Sequence, residues 1–428
     1  MEFQSIRGFQ DILPPQSERT AAFEALARRV LSYYGFREIR LPTVELKALF
    51  VKSTGETSDI VEKEMYEFED QGGRRLALRP EGTPGTVRAF LQHHLQQDGG
   101  RSKLFYIGNM FRAERPQAGR FREFNQIGVE SIGNAHAGAD AEVILALGQI
   151  LDEAGLKGRY KVELNTLGCD QDPQCRPAFR ERLKKFLERC KADLCEHCQR
   201  RMFRNPLRAL DCKADGPILA EKVPPLQPCG TCRKHGERTL SFLEKSHLPH
   251  KYPVPSLVRG LDYYNRVVFE FKSDALGAQD ALGGGGRYDG LVKSMGGPDL
   301  PAVGWAMGIE RALMALEKGR DAGQTEPSGH IQVYVAIQDA EEALENQAYS
   351  ILSGLRAGKI AAEGGFGHSL KSQMREANRL GARWAVILGK QEAQKNACIL
   401  KDMRAKDAQE VISIEHVQAR ILKNIGHG

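Results

Sequence analysis

Leu104-Phe-Tyr-Ile-Gly-Asn-Met-Phe-Arg-Ala-Glu-Arg-Pro-Gln-Ala-Gly-Arg-Phe-Arg-Glu-Phe-Asn-Gln-Ile-Gly-Val-Glu130 reads as two strands joined by a charged loop. Side chains alternate along a strand, so Tyr106, Gly108, Met110 and Arg112 share one face of the outgoing strand. Phe124, Gln126, Gly128 and Glu130 share one face of the return strand. If the two faces coincide, an arginine, a glutamine and a glutamate stand beside two glycines that leave room for a ligand. A buried sheet face is normally apolar, so such a face is a binding floor. In the loop, Arg115, Arg120 and Arg122 surround Pro116 and Gly119. Guanidinium groups suit bidentate bonds to phosphate, although an arginine-rich turn can equally be a solvated hairpin tip.

Working outward, Pro15 to Ser32 has helical spacing (Phe23, Leu26, Val30). Gly35 ends that helix, and Phe36 to Leu41 predicts a strand stopped by Pro42. Strand-like pieces at Met65 to Phe68 and Leu76 to Leu78 precede Arg79-Pro-Glu-Gly-Thr, after which a helix runs through Val87 and Leu91. Beyond the hairpin the pattern predicts a helix over Asp140 to Ala154 and a strand over Tyr160 to Leu164. From Cys169 to His250 cysteines, basic residues and prolines dominate, as in an insertion that interrupts a domain. Strands resume at Val258 and at Val267 to Phe271, and a helix through Leu313 and Leu316 follows Trp305. Gly319 to Gly329 has a linker's composition. The remainder alternates strands (Ile331 to Ile337, Trp384 to Leu388, Ala397 to Leu400) with helices (Ala340 to Ala357, Ser369 to Leu380, His416 to Leu422), which predicts a small α/β unit.

A chain of 428 residues suggests two to four such units, and 41% hydrophobic with 27% charged residues is ordinary for a soluble globular protein. Charge is unevenly spread. Arg176 to Arg208 holds eleven Lys/Arg against four Asp/Glu, a surplus of seven that leaves the remainder of the chain at −1 of the +6 total. A local cation excess suits a polyphosphate partner, and it also suits a solvated helix face. The opening Met1-Glu-Phe-Gln-Ser lacks a basic and then apolar leader, and no run reaches the roughly 18 apolar residues of a membrane span, so a cytoplasmic protein with no membrane partner is expected. Of nine cysteines, eight crowd between Cys169 and Cys232. An odd number in a well-cored chain does not suggest a secreted disulfide scaffold.

Three further clusters carry polar chemistry. In Leu257-Val-Arg-Gly-Leu-Asp-Tyr-Tyr264, Arg259 and Asp262 are charges in an apolar, strand-like setting, either a structural ion pair or a ligand contact. Gly283-Gly-Gly-Gly-Arg-Tyr-Asp-Gly290 loses conformational entropy that only a tight backbone path or a close ligand approach would justify. It has neither the spacing of a dinucleotide loop nor the Lys-Ser/Thr ending of a Walker loop. In Gly304-Trp-Ala-Met-Gly-Ile-Glu-Arg311 an arginine lies in a helix's first turn, where it is disfavoured unless an anion shares that helix end. A helix-surface arginine is the plainer alternative.

Together these segments resemble the histidyl-tRNA synthetases of bacterial type, a family of class II aminoacyl-tRNA synthetases. Phe36 to Glu45 resembles class motif 1, which forms the dimer interface, Leu104 to Glu130 motif 2 and Ala302 to Leu313 motif 3. Leu257 to Tyr264 and Leu282 to Gly290 resemble the two histidine-specific signatures. One departure is Leu282, where many relatives have a cysteine. The resemblance implies an α+β fold with an antiparallel catalytic sheet and flanking helices. It further implies a catalytic domain over 1–168 and 251–325, an inserted domain over 169–250, and an α/β anticodon-binding domain over 328–428. It implies that L-histidine and ATP, with Mg²⁺, form histidyl-adenylate, that the histidyl group passes to the 3′ end of tRNA(His), and that the chain is a homodimer. By the same resemblance Arg112 holds the α-phosphate and Arg311 the γ-phosphate. Glu81, Thr83 and Gln126 meet the amino group, and Glu130 with Tyr264 the imidazole. Arg259 lies between the carboxylate and the α-phosphate as the catalytic cation, Tyr263 and Tyr288 line the pocket, and Arg115 with Gln117 approaches the first acceptor base pair.

Two alternatives accompany this reading. One is a non-catalytic regulatory or tRNA-sensing relative, which loss of the arginines or of the C-terminal unit would favour. Here Arg112, Arg259 and Arg311 are present and the third unit follows. The other concerns metal. Cys195-x-x-Cys198 and Cys229-x-x-Cys232 have zinc-pair spacing, but roughly thirty residues separate the pairs, and Cys190 and Cys212 compete as ligands. Reduced cysteines packed in a small insertion are therefore expected, and no metal ligand is assigned.

Overall fold

The computed structural model describes residues 3–55, 58–97, 100–117, 119–212, 214–220, 222–277, 280–318, 331–365, 367–405 and 408–425. The linker expected over 319–329 lies outside the described residues. Contacts divide the chain into two units, 1–320 and 321–428.

In the first unit, helix α1 (Gln16–Tyr33) ends at Gly35, whose φ of +73° is the left-handed turn that glycine adopts without strain. Strand β1 (Arg37–Glu38) is far shorter than the predicted 36–41, because the carbonyl of Leu41 accepts the Arg79 guanidinium (2.6 Å) instead of a strand partner. Strands β2 (Val44–Leu46), β3 (Glu67–Glu69) and β4 (Arg75–Leu78) form a small sheet in the order β2-β4-β3, and β2 went unpredicted. Helix α2 (Thr83–Gln92) follows, and then the hairpin of β5 (Ser102–Phe111) and β6 (Glu123–Ile132). After α3 (Ala137–Leu151) come β7 (Lys161–Thr166), α4 (Arg176–Arg189), α5 (Gly230–Lys245), β8 (Asn265–Lys272), β9 (Ala281–Arg287), β10 (Ala302–Gly308) and α6 (Ile309–Glu317). The predicted strand at Val258 is a loop. Lys251 and Val254 still donate to β7 (2.8 and 2.9 Å), but Pro253 and Pro255 have no N–H and stop the pairing there.

The main sheet has the order β1-β5-β6-β10-β9-β8-β7, antiparallel except where β1 meets β5. Its two faces obey opposite rules. Phe105, Ile127, Val129, Val303, Trp305, Met307, Phe269 and Phe271 point into a core shared with α1, α3, α6 and Leu243 of α5. The opposing face carries the site. Gly283 to Gly286 form β9 itself, paired on one side to Phe271 through Val268 and on the other to Met307 through Gly304. Gly283 and Gly285 stand opposite Phe271, Met307, Phe269 and Trp305, and their missing side chains leave those bulky residues room to pack.

Behind this sheet, buried Arg287 donates to buried Asp140 through Nε (3.0 Å) and Nη2, and His235 of α5 contacts the same carboxylate at 3.1 Å. Burial alone would raise the Asp140 pKa, but His235 and Arg287 hold it below the ordinary carboxylate range. One ion pair thus joins β9, α3 and α5.

The second unit has a five-stranded sheet ordered β12-β11-β13-β14-β15, from β11 (Val333–Ile337), β12 (Ala362–Gly364), β13 (Trp384–Leu388), β14 (Ala397–Asp402) and β15 (Gln409–Ser413). Val333, Val335 and Ile337 pack with Leu344, Ile351 and Ile421 on one face, and Tyr334 and Ala336 with Ala377 on the other. The predicted small α/β unit is present, with β12 and β15 added. No described helix is long and apolar enough to cross a membrane.

Removing one partner of a buried ion pair strands the other charge, typically at about 3–5 kcal/mol. Asp140→Ala is therefore expected to lose about that much unfolding free energy at pH 7, read from urea denaturation. Because the Asp140 pKa is depressed on folding, its contribution is present above roughly pH 4 and is lost as pH falls through the depressed value. The wild-type and mutant curves should converge in acid.

Candidate active site

The register of the hairpin settles which side chains share a face. Tyr106 stands opposite Gly128, Gly108 opposite Gln126, and Met110 opposite Phe124, so the two predicted faces coincide. From these faces Arg112, Phe124 and Gln126 reach a cavity of about 450 Å³, lined also by Glu81, Thr83, Arg259, Tyr263, Tyr264 and Arg311 among others, while the room expected over Gly108 and Gly128 is taken by Arg79 and Tyr106. A methyl group at Gly128 or Gly82 would collide with the Tyr106 ring, and one at Gly304 with the Glu130 carboxylate and the β6 backbone. These glycines make space for large side chains lying flat on the sheet.

At one end, buried Glu130 accepts from Thr83 Oγ1 (2.6 Å) and from the Tyr288 hydroxyl. Tyr264, expected to meet the imidazole together with Glu130, packs at 4.7 Å from the Tyr263 ring and edge-on to Tyr288 at 6.4 Å. Glu130 and Tyr288 lie beneath the cavity wall, whereas Tyr264 is on it. Tyr263 donates to Glu81 Oε2 (3.0 Å). The other oxygen of Glu81 and Oε1 of Gln126 are buried without a hydrogen-bond partner, and an unsatisfied buried acceptor in a cavity wall points to a donor supplied from outside.

Burial sets the protonation of this end. Desolvation pushes Glu130 up to about 8, against the lowering effects of Thr83 and Tyr288, and nearby Glu81 adds to the rise. Glu81 is pushed up to about 7 by burial, with Arg112 and Tyr263 opposing.

The other end is cationic. Arg259 rides on the unpaired loop and donates to Glu270 of β8 (2.6 Å), directly above Gly284, where a Cβ would lie 2.7 Å from its Nη1. Burial pulls its pKa down, but Glu270, Tyr264, Asp211 and Tyr263 together outweigh burial, and the guanidinium ends above its ordinary value. Arg112 donates through Nε to the Pro80 carbonyl (2.9 Å) and lies 5.3 Å from the centre of the Phe124 ring. Arg311, in the first turn of α6, is held by the carbonyls of Gly119 (3.0 Å) and Ala281 (2.8 Å). Burial, and next Arg120, lower its pKa, against the raising effects of Glu114 and Glu270.

The loop arginines divide by role. Arg115 is exposed, as is Gln117, and both stand outside the cavity. Arg120 lines the cavity and pairs with Glu114 (2.6 Å). Arg122 turns away to the carbonyls of Glu114 (3.2 Å) and Arg7 (3.4 Å), so it braces the N-terminal segment and does not join a phosphate grip. Sequence reasoning missed Glu270, which aims Arg259, and Glu310, which accepts from Asn125 N (2.7 Å) and Nδ2 (2.9 Å). It also missed Asp211 on the wall. A glutamate alternating with Phe269 and Phe271 in β8 was the only sign of Glu270. Asp211 carries no local signal.

Carboxyls whose pKa is raised on folding bind protons more tightly when folded, so their contribution is fully present below the unfolded value and is lost as pH rises through the folded one. The unliganded protein should lose stability between about pH 4.3 and about 8, with Glu81 and Glu130 as sources. Thermal unfolding across that range should show a shallower fall in Glu130→Gln; an unchanged slope would contradict the assignment.

Comparison with known proteins bears on the same segments. A family model described as Histidyl-tRNA synthetase matches residues 8–312, and a second, Anticodon binding domain, matches 332–424. The chain is 48% identical over 407 residues to the histidine–tRNA ligase of Elusimicrobium minutum, across 95% of this chain and 96% of that one. Against that of Anaeromyxobacter dehalogenans it is 45% identical over 427 residues, 98% of this chain and 100% of the other. The solved structure of apo S. aureus histidyl-tRNA synthetase matches with a TM-score of 0.79 at 31% identity, covering 98% of this chain and 99% of that one. The matched span contains the hairpin floor, the Arg259 loop and the glycine strand, and the chain belongs to the histidyl-tRNA synthetase family.

Proposed function

We propose that the cavity over the main sheet is where histidine and ATP react, with Arg259 as the cation between them. The activity is histidine–tRNA ligation: L-histidine is activated by ATP to histidyl-adenylate and transferred to the 3′ end of tRNA(His). The observation that supports this placement best is the pair of unpartnered buried acceptors, Glu81 Oε1 and Gln126 Oε1, which together suit an α-ammonium group.

In the proposed complex the ammonium lies against Glu81, Gln126 and Thr83. The imidazole reaches inward to Glu130, with Tyr264 and Tyr288 around it and Tyr263 bracing Glu81. A buried acceptor for a ring N–H penalises amino acids without one, because the polar groups would be left unpaired. The histidine carboxylate then faces Arg259. It attacks the α-phosphorus, the bond to the bridging oxygen breaks, and pyrophosphate leaves. The terminal ribose hydroxyl of the tRNA next attacks the carbonyl carbon and AMP departs. No nucleophile of the protein is needed. Its contribution is alignment and cations fixed where charge develops: Arg112 at the α-phosphate, Arg311 at the γ-phosphate and Arg259 at both reactants. ATP would enter as its Mg²⁺ complex, and Glu114 and Glu310 on the cavity wall would supply hard oxygens to such an ion.

The exposed Arg115 and Gln117 are assigned to the first acceptor base pair. The family matches and the contact division support a separate anticodon-binding segment (328–428), and within the first unit the proposal takes 1–168 and 251–325 as catalytic and 169–250 as inserted. A homodimer is supported by the small sheet, whose register puts Leu46, Leu76 and Phe68 on one face with Val44 and Leu78; Leu46 is 53% exposed and Phe68 45%. A tRNA substrate suits a cytoplasmic setting. The non-catalytic alternative finds no support in a cavity that retains all three arginines.

Arg259→Ala is expected to slow histidine-dependent pyrophosphate exchange by about 10²–10³-fold while tRNA binding is largely kept. Exchange near the wild-type rate would refute the role of Arg259. Pyrophosphate exchange with each of the twenty amino acids tests the substrate, and activity with one other than histidine would overturn it.

A further inference from the structure

The eight cysteines of the insertion do not assemble as their pair spacing suggests. Cys195–Cys198 and Cys229–Cys232 belong to two separate clusters. Cys229 and Cys232 meet Cys169 and Cys175, while Cys195 and Cys198 meet Cys212 and Asp215. In each set the four ligand atoms lie within 4.8 Å of one another. Among these sulfurs, Cys169 and Cys229 are 3.8 Å apart, and Cys195 and Cys212 are 3.7 Å apart. A disulfide needs about 2.05 Å. A tetrahedron with metal–sulfur bonds of about 2.3 Å has edges of about 3.8 Å, which these separations match.

The surroundings suit thiolates. The backbone N–H groups of Cys169 and Cys229 both donate to Cys175 Sγ (3.3 Å each), and that of Cys195 donates to Asp215 Oδ2 (3.0 Å). Each pair begins a helix, Glu196–Arg201 after Cys195 and α5 after Cys229. Gly168, with φ +68°, brings its backbone to a point where a Cβ would lie 2.7 Å from Cys175 Sγ.

We propose that the chain carries two structural zinc sites, one of Cys169, Cys175, Cys229 and Cys232 and one of Cys195, Cys198, Cys212 and Asp215. Four thiolates in the first set, and three thiolates with one carboxylate in the second, fill a tetrahedron and leave no open position for catalysis. Binding expels the thiol protons and clasps strands of chain that are distant in sequence. The first site ties the end of β7 and the start of α4 to α5, beside Arg176, which donates to the Tyr264 carbonyl (2.6 Å). The second closes the segment that holds Asn205, bonded to Asp262 (2.7 Å), and Asp211 of the cavity wall. Both sites therefore support the loop that carries Arg259.

Elemental analysis of the purified full-length chain should find about two zinc per chain. Cys175→Ser and Cys198→Ser should each hold about one, and the double variant close to none. Because such variants can unfold, the wild-type protein provides a second reading: exchange of zinc for cobalt(II) should give the intense d–d and sulfur-to-metal bands of tetrahedral thiolate sites, at two cobalt per chain. One zinc or fewer per wild-type chain, iron in its place, or cobalt spectra of six-coordinate oxygen sites would overturn the proposal.

Discussion

The site depends on how closely β8, β9 and β10 run at Gly283 to Gly286. A Cβ on Gly285 would collide with the backbone of Gly304 and Trp305, and one on Gly286 would lie 2.7 Å from the Val267 carbonyl. Strand alternation gives this omission two consequences. Below the sheet Trp305 and the phenylalanines of β8 fill the vacated space, and above it Arg259 and its partner Glu270 occupy the same layer. Volume removed from one strand thus becomes packing on one side and a pocket on the other.

Upon that floor the charges are sorted by burial. The carboxyls with the most raised pKa, Glu81 and Glu130, lie at the end where Tyr106, Tyr264 and Tyr288 exclude water, while Arg112 and Arg311 are held by backbone carbonyls and Arg259 by Glu270. Each cation is fixed by something other than its proposed ligand: Glu270 for Arg259, Pro80 for Arg112, and Gly119 with Ala281 for Arg311. Such anchoring means little reorganisation is needed as charge develops, which is where most electrostatic catalysis originates.

Much of this was legible in the sequence wherever the signal was local. The hairpin faces followed from period two, the α2 and α6 helices from punctuation and periodicity, and Arg311 from its conflict with the helix dipole. Pairings that depend on chains distant in sequence were not legible. The bond from Tyr288 to Glu130 joins segments far apart in sequence, and no local pattern announces it. Val258 looks like a strand until Pro253 and Pro255 deny it a partner. Two Cys-x-x-Cys pairs suggest a single set, and only the fold shows that each seeks other partners.

The raised pKa of buried Glu130 has a further consequence for the proposed selection of the amino acid. An ionised carboxylate at the bottom of a pocket would be bait for lysine and arginine, whose side chains are cationic and abundant in cells. A protonated carboxyl offers no standing field of that kind, only a directional hydrogen bond. On the proposed placement of the imidazole beside Glu130, the choice then rests on the polarity of individual ring atoms, with little contribution from bulk electrostatic attraction.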